Sequence, residues 1–336
     1  MKKLSKHVGF GGTSAMVGAM IGAMAGTFSP NAFADEFPSK TITMVIPFAA
    51  GGPTDTVGRL VGQSMGKELK QTVIIENVGG AGGTVGAAKV ARSAPDGYTI
   101  FLHHIGHSTA PALYKKMSYN PIDDFEPIGL VTDVPMTIVA RKDFPAKDFK
   151  EMVTYVKANA AKLNYANAGL GSASHLCGML FMSTVEADMT TVPFKGTGPA
   201  MTDLLAGQVD LMCDQTTNTT SQIKGEKIKA YAVTTKNKVP SLPDIPTADS
   251  QGLKGFDVAV WHGLYAPKAT PKPALDKLQA ALLVALKDPE VVKRMADLGT
   301  EPVAPARATP AALKAHLKSE IDRWGPIIKK AGVYAD

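Results

Sequence analysis

The chain has 336 residues, 45% of them hydrophobic and 20% charged, with a mean hydropathy of +0.01. This is the composition of a folded protein with a substantial core, and it excludes disorder and a collagen-like architecture. The formal charge of +6 is concentrated at the start, where Lys2, Lys3 and Lys6 precede a charge-free stretch over residues 8–34.

That stretch ends in Ala32-Phe33-Ala34, the small-x-small pattern a signal peptidase accepts, so residues 1–34 are expected to be a signal peptide cut before Asp35. A membrane span is the alternative, but a stretch of Gly, Ala and Met containing Pro30 is weakly apolar for an anchor. Removing its three lysines from the 36 Lys and Arg leaves 33 against 30 acids, a net charge of +3 that asks for no nucleic acid. No later segment has 18 uninterrupted apolar residues, so an exported, periplasmic protein is expected. Two cysteines, Cys177 and Cys213, can bridge in an oxidising compartment or remain small buried thiols, and both readings stay open.

In chain order, residues 41–48 (TITMVIPF) read as a buried strand, followed by a glycine turn and a helix on which Val57, Leu60, Val61, Met65 and Leu69 share a face. Strand 73–76, the loop 77–83 and a helix through Ala87, Ala88 and Val90 repeat that order before the strand 98–103. A second series contains strands at 136–140, 164–167, 190–194, 209–213 and 229–235, with helices around 152–156 and 201–205. A third opens with strand 261–266 and turns helical. There Thr270-Pro271, Asp288-Pro289 and Thr309-Pro310 each place a capping oxygen before a proline at the first helical position. Leu275, Leu278, Leu282 and Leu286 line one of these helices, and Leu313, Leu317, Ile321 and Trp324 line the last. Strands alternating with helices predict α/β architecture in two lobes, one of residues 35–135 with 256–336 and the other of residues 136–255.

Two loops echo each other. Pro47-Phe48 leads through Gly51-Gly52-Pro53 to Thr54-Asp55, and Pro193-Phe194 leads through Lys195-Gly196-Thr197-Gly198-Pro199 to Thr202-Asp203. One such loop per lobe, each at the carboxyl end of a strand, predicts a cleft between the lobes. The loops 79–84 and 169–175 repeat the glycine pattern, the latter with Ser172 and Ser174 at an expected helix start. Converging backbone N–H groups and helix N-termini favour an anion. Neither G-x-x-x-x-G-K-[ST] nor G-x-G-x-x-G occurs, so no nucleotide cofactor is expected. None of the six arginines lies in these loops.

Enzyme chemistry finds little support. Gly171-Ser172-Ala173-Ser174-His175 lacks the G-x-S-x-G elbow. His103, His104 and His107 cluster, but in a strand residues i and i+4 point apart and no carboxylate or cysteine follows closely, so no metal is expected. His104 is instead a candidate donor on the cleft wall. Asp214 and Gln215, directly after strand 209–213, can read a cation or hydroxyl on a ligand or fix a hinge loop.

These residues resemble the extracytoplasmic solute receptors of tripartite tricarboxylate transporters, the Bug-type or TctC-like proteins. The resemblance is carried by Pro47-Phe48 with the loop to Asp55, Glu76-Asn77 with Gly80 to Gly83, and Ala94-Pro95-Asp96-Gly97-Tyr98-Thr99. It continues in Gly171-Ser172 with Ser174-His175-Leu176, Val192 to Gly196, Asp203 to Asp210, and Leu242-Pro243-Asp244-Ile245-Pro246-Thr247. It implies a type II periplasmic binding protein, monomeric, with two doubly wound α/β lobes joined by crossing strands and closing on a small di- or tricarboxylate, aliphatic or aromatic. Carried over, the carboxylate would be held by Phe48, Ala49, Gly51, Thr54, Asp55 and Asn77 on one side and Gly171, Ser172 and Ser174 on the other. The distal end would meet His104, Lys195, Asp214, Gln215 and Trp261. The implied partners are the large and small membrane subunits of such a transporter, with no cofactor or enzymatic step. A sensory receptor presenting its closed form to a membrane histidine kinase is the alternative function.

Overall fold

The computed structural model describes residues 37–332 and residue 334, so the expected signal peptide and its cleavage point lie outside the described residues. No helix among the described residues is long and apolar enough to cross a membrane.

The described chain folds around one nine-stranded mixed sheet. Three parallel strands, β1 (Ile42–Ile46), β2 (Val73–Asn77) and β3 (Thr99–His104), alternate with α1 (Pro53–Leu69) and α2 (Thr84–Ala91). After α3 (Gly106–Leu113) comes the long strand β4 (Phe125–Arg141). Next are α4 (Phe149–Asn159), β5 (Asn164–Asn167), α5 (Ala173–Val185), β6 (Thr190–Pro193), α6 (Thr197–Leu205), β7 (Leu211–Gln215), α7 (Thr216–Lys224) and β8 (Ile228–Val233). The strand β9 (Ala259–Pro267) and helices α8 (Lys272–Ala285), α9 (Pro289–Asp297) and α10 (Pro310–Ala331) complete it. The strand order is β2-β1-β3-β9-β4-β7-β5-β6, with β8 on the other side of β4 from β7.

β4 joins the two parts of the sheet. Its first stretch, Phe125 to Pro135, runs antiparallel to β9, and its second, Met136 to Arg141, lies between β7 and β8. The sequence announces only the second stretch, because Pro127, Gly129, Asp133 and Pro135 interrupt the apolar run. Bulges between Pro127 and Gly129 and between Leu130 and Thr132 accommodate that interruption. The C-terminal helices return to the first part of the sheet, with α8 against α1 and α10 against α3.

Of the three expected helix caps, two are found. α8 begins at Lys272 with Pro271 as its cap, because the Thr270 hydroxyl turns back to donate to Pro267 O at 2.7 Å. Asp288 and Thr309 do cap α9 and α10, accepting from the backbone N–H of Glu290 and Ala312. α7, composed largely of Thr, Asn and Gln, carries no apolar stripe and escapes a periodicity search. Cys177 and Cys213 form a disulfide that ties α5 to β7.

Candidate functional site

Four helix N-termini converge on a small cavity. α1 contributes Pro53 and Thr54, α5 contributes its cap Ser172 with Ala173 and Ser174, α6 contributes Thr197, and α7 contributes its cap Gln215. Phe48, His104, Ala168 and Asp214 complete the lining. No lysine or arginine is among these residues, so the positive potential comes from helix ends, each roughly half an elementary charge. The larger depression beside α1 and β2 is an open surface groove with no such convergence.

The hydroxyls are arranged by short-range bonds. Ser172 Oγ accepts from the His175 N–H at 3.3 Å, which caps α5, and lies 3.1 Å from Ser174 Oγ. Ser174 Oγ accepts from the Ala168 N–H at 2.8 Å. Thr54 Oγ1 lies 3.3 Å from His262 Nε2. The His104 ring stacks on Phe48 at 4.6 Å, and its Nδ1 accepts from the Gly106 N–H at 3.0 Å, which leaves Nε2 as the protonated nitrogen. Burial, reinforced by nearby His262, holds His104 well below the ordinary histidine range, so it is a neutral donor.

Asp214 is the one acid in the lining and is 1% exposed. Burial pushes its carboxyl up to about 6, against donation from the Asn218 amide at 2.6 Å, the Gln215 N–H and the Thr197 hydroxyl. Beside it, Gln215 Oε1 is buried with no hydrogen-bond partner.

Of the residues singled out in the sequence, Phe48, Thr54, His104, Ser172, Ser174, Asp214 and Gln215 line the cavity, whereas Ala49, Gly51, Asp55, Asn77, Gly171, Lys195 and Trp261 do not. Asp55 accepts from the Gly51 N–H at 3.0 Å, from Arg59 at 2.9 Å and from Asn77 at 3.0 Å, and so braces the loop behind the cavity wall. Burial opposes its ionisation, yet Arg59 and these N–H donors bring its pKa below the usual value. The Ala49 N–H donates to Lys195 O at 2.9 Å, and Gly171 O accepts from the Thr109 hydroxyl at 2.9 Å, so these backbone groups join the two parts of the chain over the cavity. Trp261 is buried against α10, where its indole N–H donates to Glu320. Thr197 and Pro53, each the first residue of its helix, line the cavity as well, although neither was singled out as a ligand contact in the sequence.

The expectation that His103 and His107 point apart is incorrect. β3 ends at His104 and α3 turns back, so the two rings come within 5.3 Å of each other. They pack among Phe101, Phe125, Tyr119 and Tyr265, and no group of three or more His, Cys, Asp or Glu among the described residues could hold a metal.

Residues 57–333 match the family described as the tripartite tricarboxylate transporter family receptor, TctC. A UPF0065 protein from the TAR-I ttuE-ttuC' intergenic region of Agrobacterium vitis is 54% identical over 298 residues, 89% of this chain and 86% of that one. BugT of Bordetella pertussis is 31% identical over 304 residues, 89% and 91% of the two chains. Among solved structures, the periplasmic binding protein BugD is 55% identical with a TM-score of 0.88, covering 89% of this chain and all of that one. MatC from Rhodopseudomonas palustris with bound malate is 45% identical with a TM-score of 0.84, covering 87% of this chain and 100% of that one. The mixed α/β fold is therefore that of the Bug-type periplasmic binding proteins, and the chain belongs to the TctC receptor family of tripartite tricarboxylate transporters.

Proposed function

We propose that this protein is a periplasmic solute receptor that closes two lobes, residues 35–135 with 256–336 and residues 136–255, on an aliphatic dicarboxylate. On this reading it delivers the ligand to the membrane subunits of a tripartite transporter. The observation that carries the proposal is the convergence of four helix N-termini on one small cavity with no lysine or arginine in its lining. Such a cavity favours an anion held by N–H groups and hydroxyls. Malate in MatC and adipate in a second Rhodopseudomonas palustris relative, 30% identical with a TM-score of 0.84, support the ligand class.

In the mechanism, one carboxylate meets Ser172, Ser174 and the α5 N-terminus, and Thr54 and the α1 N-terminus close from the other side. His104 donates through Nε2. Contacts from both lobes exist only in the closed form, so ligand shifts the population towards it.

The test is thermal unfolding against succinate, malate, fumarate, adipate, citrate, benzoate and glucose, with recovery of each hit. A ligand at 100 times its Kd adds about 2.7 kcal/mol, a shift of several degrees. Stabilisation by an aliphatic diacid that is recovered unchanged supports the receptor reading. Stabilisation by glucose alone, or consumption of the hit, refutes it. Loss of uptake of the same diacid on deleting the transporter's membrane subunits would support delivery, and unchanged uptake would refute it.

A further inference from the structure

A dicarboxylate entering this cavity meets a third negative group. Asp214 lines it and, among the described residues, forms no ion pair. The charges of the helix ends, about half a unit each, are roughly matched by the ligand's own two. Hydrogen bonding is also unbalanced. Asp214 takes its donors from the protein, Gln215 Oε1 has none, and the carboxylates of a diacid bring only further acceptors. A proton on Asp214 relieves both the charge and the shortage of donors.

The groups facing Asp214 show where it can go. On β5, Tyr165 donates its hydroxyl proton to Ser174 O at 2.8 Å and accepts from the Cys213 N–H, and burial keeps that phenol neutral. On β4, the Thr137 hydroxyl donates to Asp214 O, and on α7 and α6 Asn218 and Thr197 donate to the carboxylate. Across the cavity, charging His104 would set a second N–H against that of Gly106. Behind Thr54, His262 Nδ1 is buried without a partner, as are both ring nitrogens of His103, so a charge there would leave an N–H unpaired. The neighbouring cysteine is bridged. Arg59 is committed to Asp55.

We propose that Asp214 takes up a proton from solution as the cavity closes on a dicarboxylate, and as a neutral acid donates it to the ligand. The inference rests on the carboxylate-receptor reading above. Burial already brings Asp214 up to about 6, and the arriving negative charge moves it further up. No bond other than the O–H forms. The linkage has a definite sign. Below about pH 6 Asp214 is protonated with or without ligand, and its contribution to affinity is constant. Above that, affinity falls by up to about tenfold per pH unit until the pKa of the complex is reached.

Calorimetric titration of the whole protein with succinate, malate and adipate, in phosphate and in Tris at about pH 7, reads the proton directly, because the two buffers differ in ionisation heat. The expected result is uptake of close to one proton per ligand, with Kd rising towards tenfold per unit above about pH 6.5. Asp214→Asn, which keeps an acceptor for Asn218, should bind without uptake and with a flat pH profile. His104→Gln should bind more weakly yet retain the uptake. Diacid binding without uptake, or uptake unchanged in Asp214→Asn, overturns the inference alone. So does a preference for ligands bearing an ammonium group, which a charged Asp214 would produce. Absence of binding by all three diacids overturns the receptor reading as well.

Discussion

Asn77 donates from a single side-chain nitrogen to both the Asp55 carboxylate and the Phe48 carbonyl, each at 3.0 Å. The last residue of β2 thereby fixes the loop that ends β1 and begins α1. Phe48 and Thr54, both in the cavity wall, are placed by residues that do not reach the cavity themselves.

Asn77→Ala should therefore weaken binding of every ligand that uses the shared carboxylate subsite by a similar factor. Losing a partly buried bond that organises two acceptors costs about 1–2 kcal/mol, roughly a 5- to 30-fold rise in Kd. Calorimetry with two diacids of different length checks this. A large effect on one ligand and none on the other would make Asn77 a contact residue instead.

The seam above the cavity is built from backbone, and glycine makes it possible. A Cβ on Gly198 would lie 2.7 Å from Ala50 O and 2.9 Å from Gly52 N, and one on Gly79 would lie 2.7 Å from Lys195 O. Gly82 would collide with Leu170 O in the same way. Neither Gly198 nor Gly79 has the positive φ that would strain an alanine, so substitution there obstructs the approach of the two chain segments without straining either. Gly198→Ala should raise Kd at least about tenfold while leaving the midpoint of the ligand-free protein within a few degrees. Gly325→Ala, whose Cβ would meet nothing within 4 Å, is the control. Small-angle scattering should show that ligand no longer compacts the Gly198→Ala protein. Wild-type affinity in that variant would refute the role of the seam.

These glycines also show what the sequence can and cannot disclose. The two Pro-Phe-to-Thr-Asp loops are visible as a repeat, and strand-to-helix order alone locates Phe48, Thr54, Ser172 and Ser174 near a cleft. What the order cannot reveal is which side of a loop faces inward. Asp55 belongs to the same loop as Phe48 and Thr54, and Asn77 ends the neighbouring strand, yet both point behind the wall. Trp261 shows the same limit, since period-2 alternation does not say which face of a central strand meets the ligand when both are buried. α7 was invisible because its helical content rests on tertiary contacts, such as the Thr216 hydroxyl donating to Gly299 O at 3.0 Å.

The buried histidines predict how stability depends on pH. His107 is held at about 3, and His175 and His262 at about 4, because burial disfavours their charged forms. In the unfolded chain each returns to the ordinary value of about 6.5. Between these limits the unfolded state binds more protons, so stability present above about pH 6.5 is lost as the pH falls. His107 and His262 should each withdraw about 2 kcal/mol by pH 5, at about 1.4 kcal/mol per unit. Asp214 acts the other way, because its raised pKa adds stability as pH falls through about 6, but it is one group against several. Urea unfolding at about pH 7.5 and pH 5 should show a markedly lower free energy in acid, and His107→Gln should reduce the difference. Equal stability at the two pH values would show that these rings are accessible and titrate normally.

Glu320, 7% exposed, receives two indole N–H bonds on one oxygen, from Trp261 at 3.2 Å and from Trp324 at 3.0 Å. Arg323 lies 3.4 Å from its other oxygen. The arrangement fastens α10 to β9, on the side of the strand away from the cavity. Removing the carboxylate leaves two buried donors unpaired and one arginine without its acid. Glu320→Ala should therefore lose about 2–4 kcal/mol of unfolding free energy, and Glu320→Gln, which keeps an acceptor, should lose less. Because Trp261 is used here, Trp261→Phe should lower stability by about 1–2 kcal/mol through the lost hydrogen bond and lost contacts, Glu320 keeping Trp324 as a donor. Its Kd for a diacid should remain within about twofold of the wild type. Denaturant unfolding and calorimetry on the same samples separate the two effects. A Trp261→Phe protein that is fully stable but binds ten times more weakly would place that indole in the ligand site.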